Sequence, residues 1–204
     1  MGGVEKNRGN IPPVVMPEAL SEQALKSLGS HQIHSVTIGS PAFQKVFEWI
    51  IAHDQGYDHP LDKGGNVFDT PSRIRSSLGM ADENSRHDQG KNKGVQIHVA
   101  LNQAKEIVGV HCLRHNSKEG YVASDGLYVD PLAANAAGIS KDMLELAVET
   151  SRGLKAKLFT GVFRNEGAVP TLERAGLDVK PGREGWIYFK KGLTQQRMPP
   201  PPPP

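Results

Sequence analysis

The stretch from residue 120 to residue 163 limits the fold of this chain more than any other. It runs GYVASDGLYV (120–129), then DPLAANAA, then GISKDMLELAVETSR (138–152), then AKLFTGVF (156–163). The first piece alternates as a half-covered strand does, and the last is apolar nearly throughout, as a strand buried on both faces is. Between them Ile139, Met143, Leu146 and Ala147 recur at helical spacing and give the helix one apolar face. A strand, a helix and a buried strand in succession require a sheet with cover.

The flanking segments complete that sheet. Ser21 and Gly29 bracket a short helix by their capping signals. IHSVTI (33–38) alternates as a strand. Ser40 and Pro41 open a helix whose apolar stripe is Phe43, Val46, Phe47, Ile50 and Ile51. Thr70, Pro71, Ile74, Leu78 and Gly79 spell a second, short helix with a signal at each end. VQIHVAL (95–101) and EIVGVHCLRH (106–115) form a meander with 120–129. GAVPTLERAG (167–176) is a short helix with Pro170 in its first turn, and GWIYFKK (185–191) closes the sheet. The expected fold is α+β: one mixed, mostly antiparallel central sheet with helices on both faces.

Residues 20–193 are read as one domain. Residues 1–19, with Pro12, Pro13 and Pro17, form an extended arm, and 194–204 form a proline-rich tail. The six closing prolines lack amide donors, so they are either unstructured or a polyproline rod that an aromatic-lined groove could take. Residues 53–94 form a polar excursion around the second helix, and long ordered loops of that kind more often serve function.

Composition excludes several classes of function. Lys and Arg number 24 against 22 Asp and Glu, a formal net charge of +2, so no basic excess marks a nucleic-acid binder. A single cysteine rules out an internal disulfide and a Cys-rich zinc site. No apolar run is long enough to span a membrane, and the first residues lack the apolar core of a signal peptide. The expectation is a cytoplasmic protein with no membrane partner.

Chemistry concentrates in 124–140, SDGLYVDPLAANAAGIS. A strand leads into Asp130-Pro131, a loop of small residues, and a helix start. Small side chains let a ligand approach the backbone, and the unpaired first-turn amides favour an anion such as a pyrophosphate. The same residues also suit an ordinary tight strand–loop–helix connection. Neither the dinucleotide fingerprint nor the Walker loop is present.

LYVDPLAANAAGIS, followed after one helix by LFTGVFRNEGAVPTLERAGL, resembles the GNAT superfamily of N-acetyltransferases. In that family a strand ending L-x-V-x-P leads to R/Q-x-x-G-x-G/A at a helix start. A later strand leads to N-x-x-A-x-x-hydrophobic-Y-x-x-x-G-F. Here the first motif reads Asn135-Ala136-Ala137-Gly138-Ile139-Ser140, with Gly138 in place, Asn135 for Arg or Gln, and Ser140 for the last small residue. The second keeps Asn165, Ala168 and Gly176, with Leu177 for the final aromatic and Leu172 for the tyrosine. The element order over residues 33–191 fits as well.

The resemblance implies an acyl-CoA cleft where strands 120–129 and 156–163 splay apart. Main-chain groups of Leu127, Tyr128 and Val129 would bond the pantetheine arm, and the amides of 135–140 would hold the pyrophosphate. Asn165, Ala168 and the helix beyond would line the other wall. Asn165 reads equally as a helix N-cap, and the two roles are compatible.

Acetyl transfer to an amine needs a proton acceptor for the nucleophile, a donor for the oxyanion and a proton for the thiolate. Two-residue alternation puts Asp125, Leu127 and Val129 on one side of their strand. The resemblance makes Asp125 the base, a place more often held by Glu; a solvated strand-end carboxylate is the other reading. Leu172 cannot donate a proton, which leaves Tyr128, Tyr188, a histidine or water.

Other groups read more simply. His53, Asp54, Asp58 and His59 are of metal-liganding type but lack a helical His pair, so no metal is expected. His98, His111 and His115 read as partly buried strand histidines, and Cys112 as a small core residue. Arg73 and Arg75 form either a solvated helix face or a site for an acidic acceptor.

The sequence therefore predicts an acetyl-CoA-dependent N-acetyltransferase acting on a primary amine of a small molecule or protein. The alternative is a GNAT-shaped binding or regulatory module, catalytically weak or inactive. Amine metabolite, antibiotic, peptide N-terminus, lysine and aminoacyl-tRNA all stay open as acceptor, as does homodimerisation.

Overall fold

The computed structural model describes residues 11, 13–16, 24–56, 69–87, 94–163, 165–183 and 185–193. The proline tail, Asp58 and His59 lie outside them. The described residues build one eight-stranded sheet in the order β1-β2-β3-β4-β5-β6-β8-β7. Its strands are β1 (Lys26–Leu28), β2 (His31–Val36), β3 (Val95–Asn102), β4 (Ile107–Asn116), β5 (Tyr121–Val129), β6 (Leu158–Phe163), β7 (Asp178–Pro181) and β8 (Ile187–Gly192). All neighbours are antiparallel except β5 and β6. The helices are α1 (Pro41–Gly56), α2 (Pro71–His87), α3 (Ala136–Gly153) and α4 (Val169–Arg174). This is the mixed, mostly antiparallel α+β architecture expected.

Helices α1 and α2 start where their chemistry directs. Ser40 Oγ accepts from the Phe43 amide at 3.1 Å, and Thr70 Oγ1 accepts from the Arg73 amide at 3.3 Å. A proline follows each cap and contributes φ already suited to a helix. Phe43, Val46 and Ile50 of α1 join Ile74 and Leu78 of α2 in a core under one face of the sheet, with Val99, Val110 and Tyr128. Met143, Leu144 and Ala147 of α3 and Leu172 of α4 form the second core, with Leu127, Val129, Phe159 and Phe189. Full burial of each such side chain contributes roughly 1.5–3 kcal/mol. Ordered, opposed cores are what hold β5 and β6 in the middle of the molecule.

Four expectations are corrected. Residues 26–28, expected to be helical, form β1, because Gly29-Ser30 makes a two-residue hairpin turn that pairs Leu28 with His31. The second helix does not stop at Gly79; a Cβ there would meet open space, and Ala81 extends the buried stripe, so α2 runs on to His87. GWIYFKK does not end the sheet: β8 lies between β6 and an unforeseen edge strand β7, whose charged residues and Pro181 suit an edge. The fourth, the alternation of β5, concerns the site.

Part of the N-terminal arm is tied down. Val15 bridges Glu106, the Met16 amide donates to the Lys105 carbonyl at 3.1 Å, and Met16 is buried in the α1–α2 core.

Candidate active site

The site begins where the parallel pair ends. β5 and β6 pair from Tyr121↔Leu158 to Ser124↔Gly161. Beyond that point β5 continues to Val129 and β6 to Phe163 without pairing, so the sheet opens into a wedge. Gly161 sits at the vertex because a Cβ there would strike the Phe189 ring. The alternating bond direction of an antiparallel ladder turns the main chain of Tyr128 toward Val110 of β4, whereas Leu127 and Val129 face the wedge. Leu127 and Val129 are thus the strand residues whose main chain faces the wedge, although the Leu127 amide already donates to Asp69. Tyr128, expected to join them, spends its own on β4.

A bulge re-aims Asp125. The register slips so that Cys112 opposes Gly126 and Leu113 opposes Ser124, leaving Asp125 as the extra residue. Its side chain consequently lies with Ser77, Leu78, Cys112 and Arg114 on the α2 side of the sheet. Leu127 and Val129 point to the opposite face, into the α3–α4 core. The expected grouping of these three on one side therefore fails, because one inserted residue breaks the two-residue period. Arg114 Nη2 donates to Asp125 Oδ1 at 3.0 Å, and the Ser77 hydroxyl donates to the Asp125 carbonyl at 3.2 Å. Burial raises the Asp125 pKa, and the Arg114 charge offsets part of that rise.

A second carboxylate, absent from the sequence reading, lies deeper. Asp69 precedes the Thr70 cap of α2, and its Oδ2 accepts from the Leu127 amide at 3.0 Å, on the wedge edge of β5. Its other oxygen lies 2.8 Å from Arg73 Nη1. Only 3% of the side chain is exposed, and burial lifts its pKa to about 7 against the opposing pull of Arg73 and the Leu127 amide. The Arg73 guanidinium lies 5.9 Å from the ring centroid of Trp186, beside β8. The start of α2 thereby reaches from β5 across to the far wall of the wedge. Asp69 carried no motif; only its place one residue ahead of a Thr-Pro helix start could have drawn notice.

Beyond the strand, Asp130 turns the chain: its Oδ1 accepts from the Leu132 amide at 3.0 Å. Asn135 then enters α3 in the left-handed region, φ 61°. The Ala136 amide bonds the Ala133 carbonyl and that of Ile139 the Asn135 carbonyl. Among the described residues no group accepts from the Ala137 or Gly138 amide. A Cβ at 138 would run into the Asn135 side chain, which lies over the helix start. Two open amides beneath a movable polar side chain fit a phosphate group. Ile139 and Ser140 are buried and belong to the helix's inner side.

Asn165 caps the 3-10 turn Glu166–Ala168, its Oδ1 accepting from the Gly167 amide at 3.0 Å. Ala168 and Leu172 are fully buried, so the position of the family's tyrosine holds core packing and no donor. Tyr128 packs between Trp49 and His53, with centroids 5.7 and 5.8 Å away, and Tyr188 is half exposed on β8.

Several of the remaining polar groups have structural partners. His53 bonds the Trp49 carbonyl at 2.8 Å and faces Asp130 at 3.8 Å, while Arg75 holds Asp54 at 2.6 Å. Among the described residues no three His, Cys, Asp or Glu side chains could gather a metal ion. His98 and His111 oppose each other on β3 and β4, and His111 Nε2 lies 2.8 Å from Ser124 Oγ. Burial lowers their pKa values to about 4 and about 3. It also raises that of Cys112, which keeps the thiol protonated and unreactive.

One sheet with a single parallel pair that parts into a wedge, flanked by the antiparallel strands β1–β4 on one side and β8–β7 on the other, is the fold of the GNAT acetyltransferases. The structure is similar to that of an acetyltransferase from Salmonella typhimurium that modifies the N-terminal serine of a 50S ribosomal subunit protein. That likeness has a TM-score of 0.56 at 8% identity and covers 84% of this chain and 100% of that one. A GNAT-family acetyltransferase from Desulfovibrio desulfuricans gives 0.53 at 17% identity, over 78% and 98% of the two chains. A ribosomal-protein alanine acetyltransferase from Vibrio fischeri gives 0.52 at 10%, over 82% and 95%. No family model matches the sequence, and no curated protein matches it.

Proposed function

We propose that the protein is an acetyl-CoA-dependent N-acetyltransferase acting on a primary amine. The observation that carries this reading is the wedge: two central strands part after Ser124 and Gly161, and the open end leads to a helix start whose amides lie beneath the Asn135 side chain. In this reading the pantetheine arm lies along the Leu127–Val129 edge, and the pyrophosphate sits on Ala137 and Gly138 once Asn135 swings aside. Asn165 and Ala168 border the far wall. Residues 20–193 act as one catalytic domain in the cytoplasm.

The acceptor enters from the α2 side, where Asp125 gives a carboxylate to an incoming ammonium. Its pairing with Arg114 makes it an acceptor-binding group in this reading rather than the free base that the family motif suggests. The likeness to enzymes that modify ribosomal proteins makes a protein N-terminus the first acceptor to try.

One observation favours a catalytically weak binding module instead: Leu172 is fully buried and offers no proton donor. Calorimetry with acetyl-CoA, followed by a thiol-release assay across peptides with free N-termini, lysine peptides and small polyamines, separates the two. Micromolar binding with thiol release on at least one amine supports the enzyme. Binding without release, or no binding at millimolar acetyl-CoA, supports the module.

A further inference from the structure

The wedge holds a buried acid, Asp69, whose carboxyl meets both the edge of β5 and Arg73 of α2. Asp69 could tie α2 to the Leu127 amide equally well as an asparagine or serine, with no carboxylate to desolvate. It stands instead as a carboxylic group on the β5 edge of the cleft, three residues past the closed end, with one oxygen on the Leu127 amide and the other beside Arg73.

We propose that Asp69 takes the proton from the attacking amine and returns it to the departing thiolate. The proposal rests on the acetyltransferase reading above and adds the group that moves the proton. In that reading the pantetheine arm lies along the part of β5 that β6 leaves unpaired, with its thioester toward the vertex. Asp69 Oδ2 is bound to that edge at Leu127, three residues past the last β5–β6 pair at Ser124. A thioester on the Leu127–Val129 edge and an amine approaching from the α2 side therefore meet at this carboxyl.

Once the ammonium has lost one proton to solvent, the remaining chemistry balances with one group. The amine nitrogen attacks the thioester carbon and an N–C bond forms. The N–H proton passes to Asp69 and the tetrahedral intermediate collapses. The C–S bond breaks, and Asp69 gives its proton to the sulfur, leaving an amide and a thiol. A group that gains and then loses a proton in one turnover works best when it titrates near the working pH. Burial holds Asp69 at about 7.

The surroundings explain why the role falls here. Arg73 of α2 pairs with Asp69 on one side, and the Leu127 amide holds it on the other. Asp125 on β5, the protonated Cys112 and Arg114 on β4, Tyr128 on β5 and His53 on α1 also lie on this face of the sheet, and Asp125 is already committed to Arg114. Leu172 supplies no acid, and Tyr128 is packed against Trp49 and His53 of α1. A carboxyl that serves as both base and acid removes the need for a tyrosine.

The test uses the full chain, acetyl-CoA and the amine probe that gives the fastest thiol release, assayed from pH 5 to 9. Wild-type kcat should rise with pH through a limb centred near 7. Asp69→Asn keeps the hydrogen bond from Leu127 but cannot titrate. It should lose at least 10²-fold in kcat and lose the limb, with the acetyl-CoA Kd held within a few-fold. Asp69→Glu should restore part of kcat and a displaced limb, which a merely structural tie would not do. Should Asp69→Asn fail to fold, the Asp69→Glu profile and the carboxyl titration of the wild type, followed by infrared difference spectroscopy, decide. A limb unmoved in Asp69→Glu, or a wild-type carboxyl titrating near 4, counts against the proposal. Full kcat and an intact limb in folded Asp69→Asn overturn it and leave the acetyltransferase reading standing. Absence of acetyl-CoA binding in the wild type overturns that reading and the proposal with it.

Discussion

Gly126 and Ile74 meet so closely that a Cβ on residue 126 would lie 2.5 Å from Cδ1 of Ile74. This contact seats the first turn of α2 on the bulged part of β5 and so sets the height of Asp69 over the Leu127 amide. Gly126→Ala should therefore destabilise the protein by about 1–3 kcal/mol, the range for overpacking a filled site. Removing the opposing methyl with Ile74→Val should recover much of that loss in the double variant. Urea midpoints of the four proteins give the coupling, and additive effects would show that α2 has another support.

The helix start carries the second prediction. Gly138→Val should weaken acetyl-CoA binding at least tenfold, about 1.4 kcal/mol, because its side chain claims the space over the open amides. Asn135→Gly keeps the left-handed backbone that this position requires and removes the side chain lying over the amides. It should bind acetyl-CoA as well as wild type or better. Calorimetry reads both, and equal binding by folded Gly138→Val would misplace the phosphate cradle.

Asp125 and Asp69 are separable by kinetics. Asp125→Asn should raise the acceptor KM several-fold, because it removes a carboxylate facing the incoming ammonium while Arg114 stays. The pH limb near 7 should persist, since the titrating group on the wedge edge is intact. A limb that vanished with Asp125 would assign the proton transfer to it.

Acid stability has a sign that two sets of groups contest. His98 and His111 bind protons when unfolded, near pH 6.5, but not until about pH 4 and 3 when folded. Each therefore stabilises the fold above pH 6.5 and loses that contribution as pH falls toward its folded value, about 3 kcal/mol for His98. Asp69 acts oppositely: the folded state holds its proton up to about 7, so it favours the fold as pH falls from 7 toward 4. Between pH 6.5 and 4, Asp69 offsets one of the two histidines. Asp69→Asn should make the loss of stability steeper by about 1.4 kcal/mol per pH step of one. Urea unfolding at pH 4.5, 5.5 and 6.5 measures the slope.

Much of this molecule follows from local pattern. Period and capping residues suffice for α1, α3 and the meander, because each buries an apolar face that its own residues spell. Strand β6 forms where expected but buries only Phe159 and Phe163 fully, not both faces. Asn135 and Gly138 were legible for the same reason: a helix start and its small residues are neighbours in the chain. The edge strands β1 and β7 were not, because three or four residues gain their structure from a partner, as Leu28 does from His31. The direction of Asp125 was hidden too, since a bulge is a relation between two strands and leaves no mark on either alone. Asp69 shows the limit most plainly. It is 58 residues from Leu127 in sequence, in a polar stretch with no motif. Only packing of α2 onto β5 desolvates its carboxyl and brings it to the wedge, and desolvation by distant chain is a property that no local pattern of residues contains.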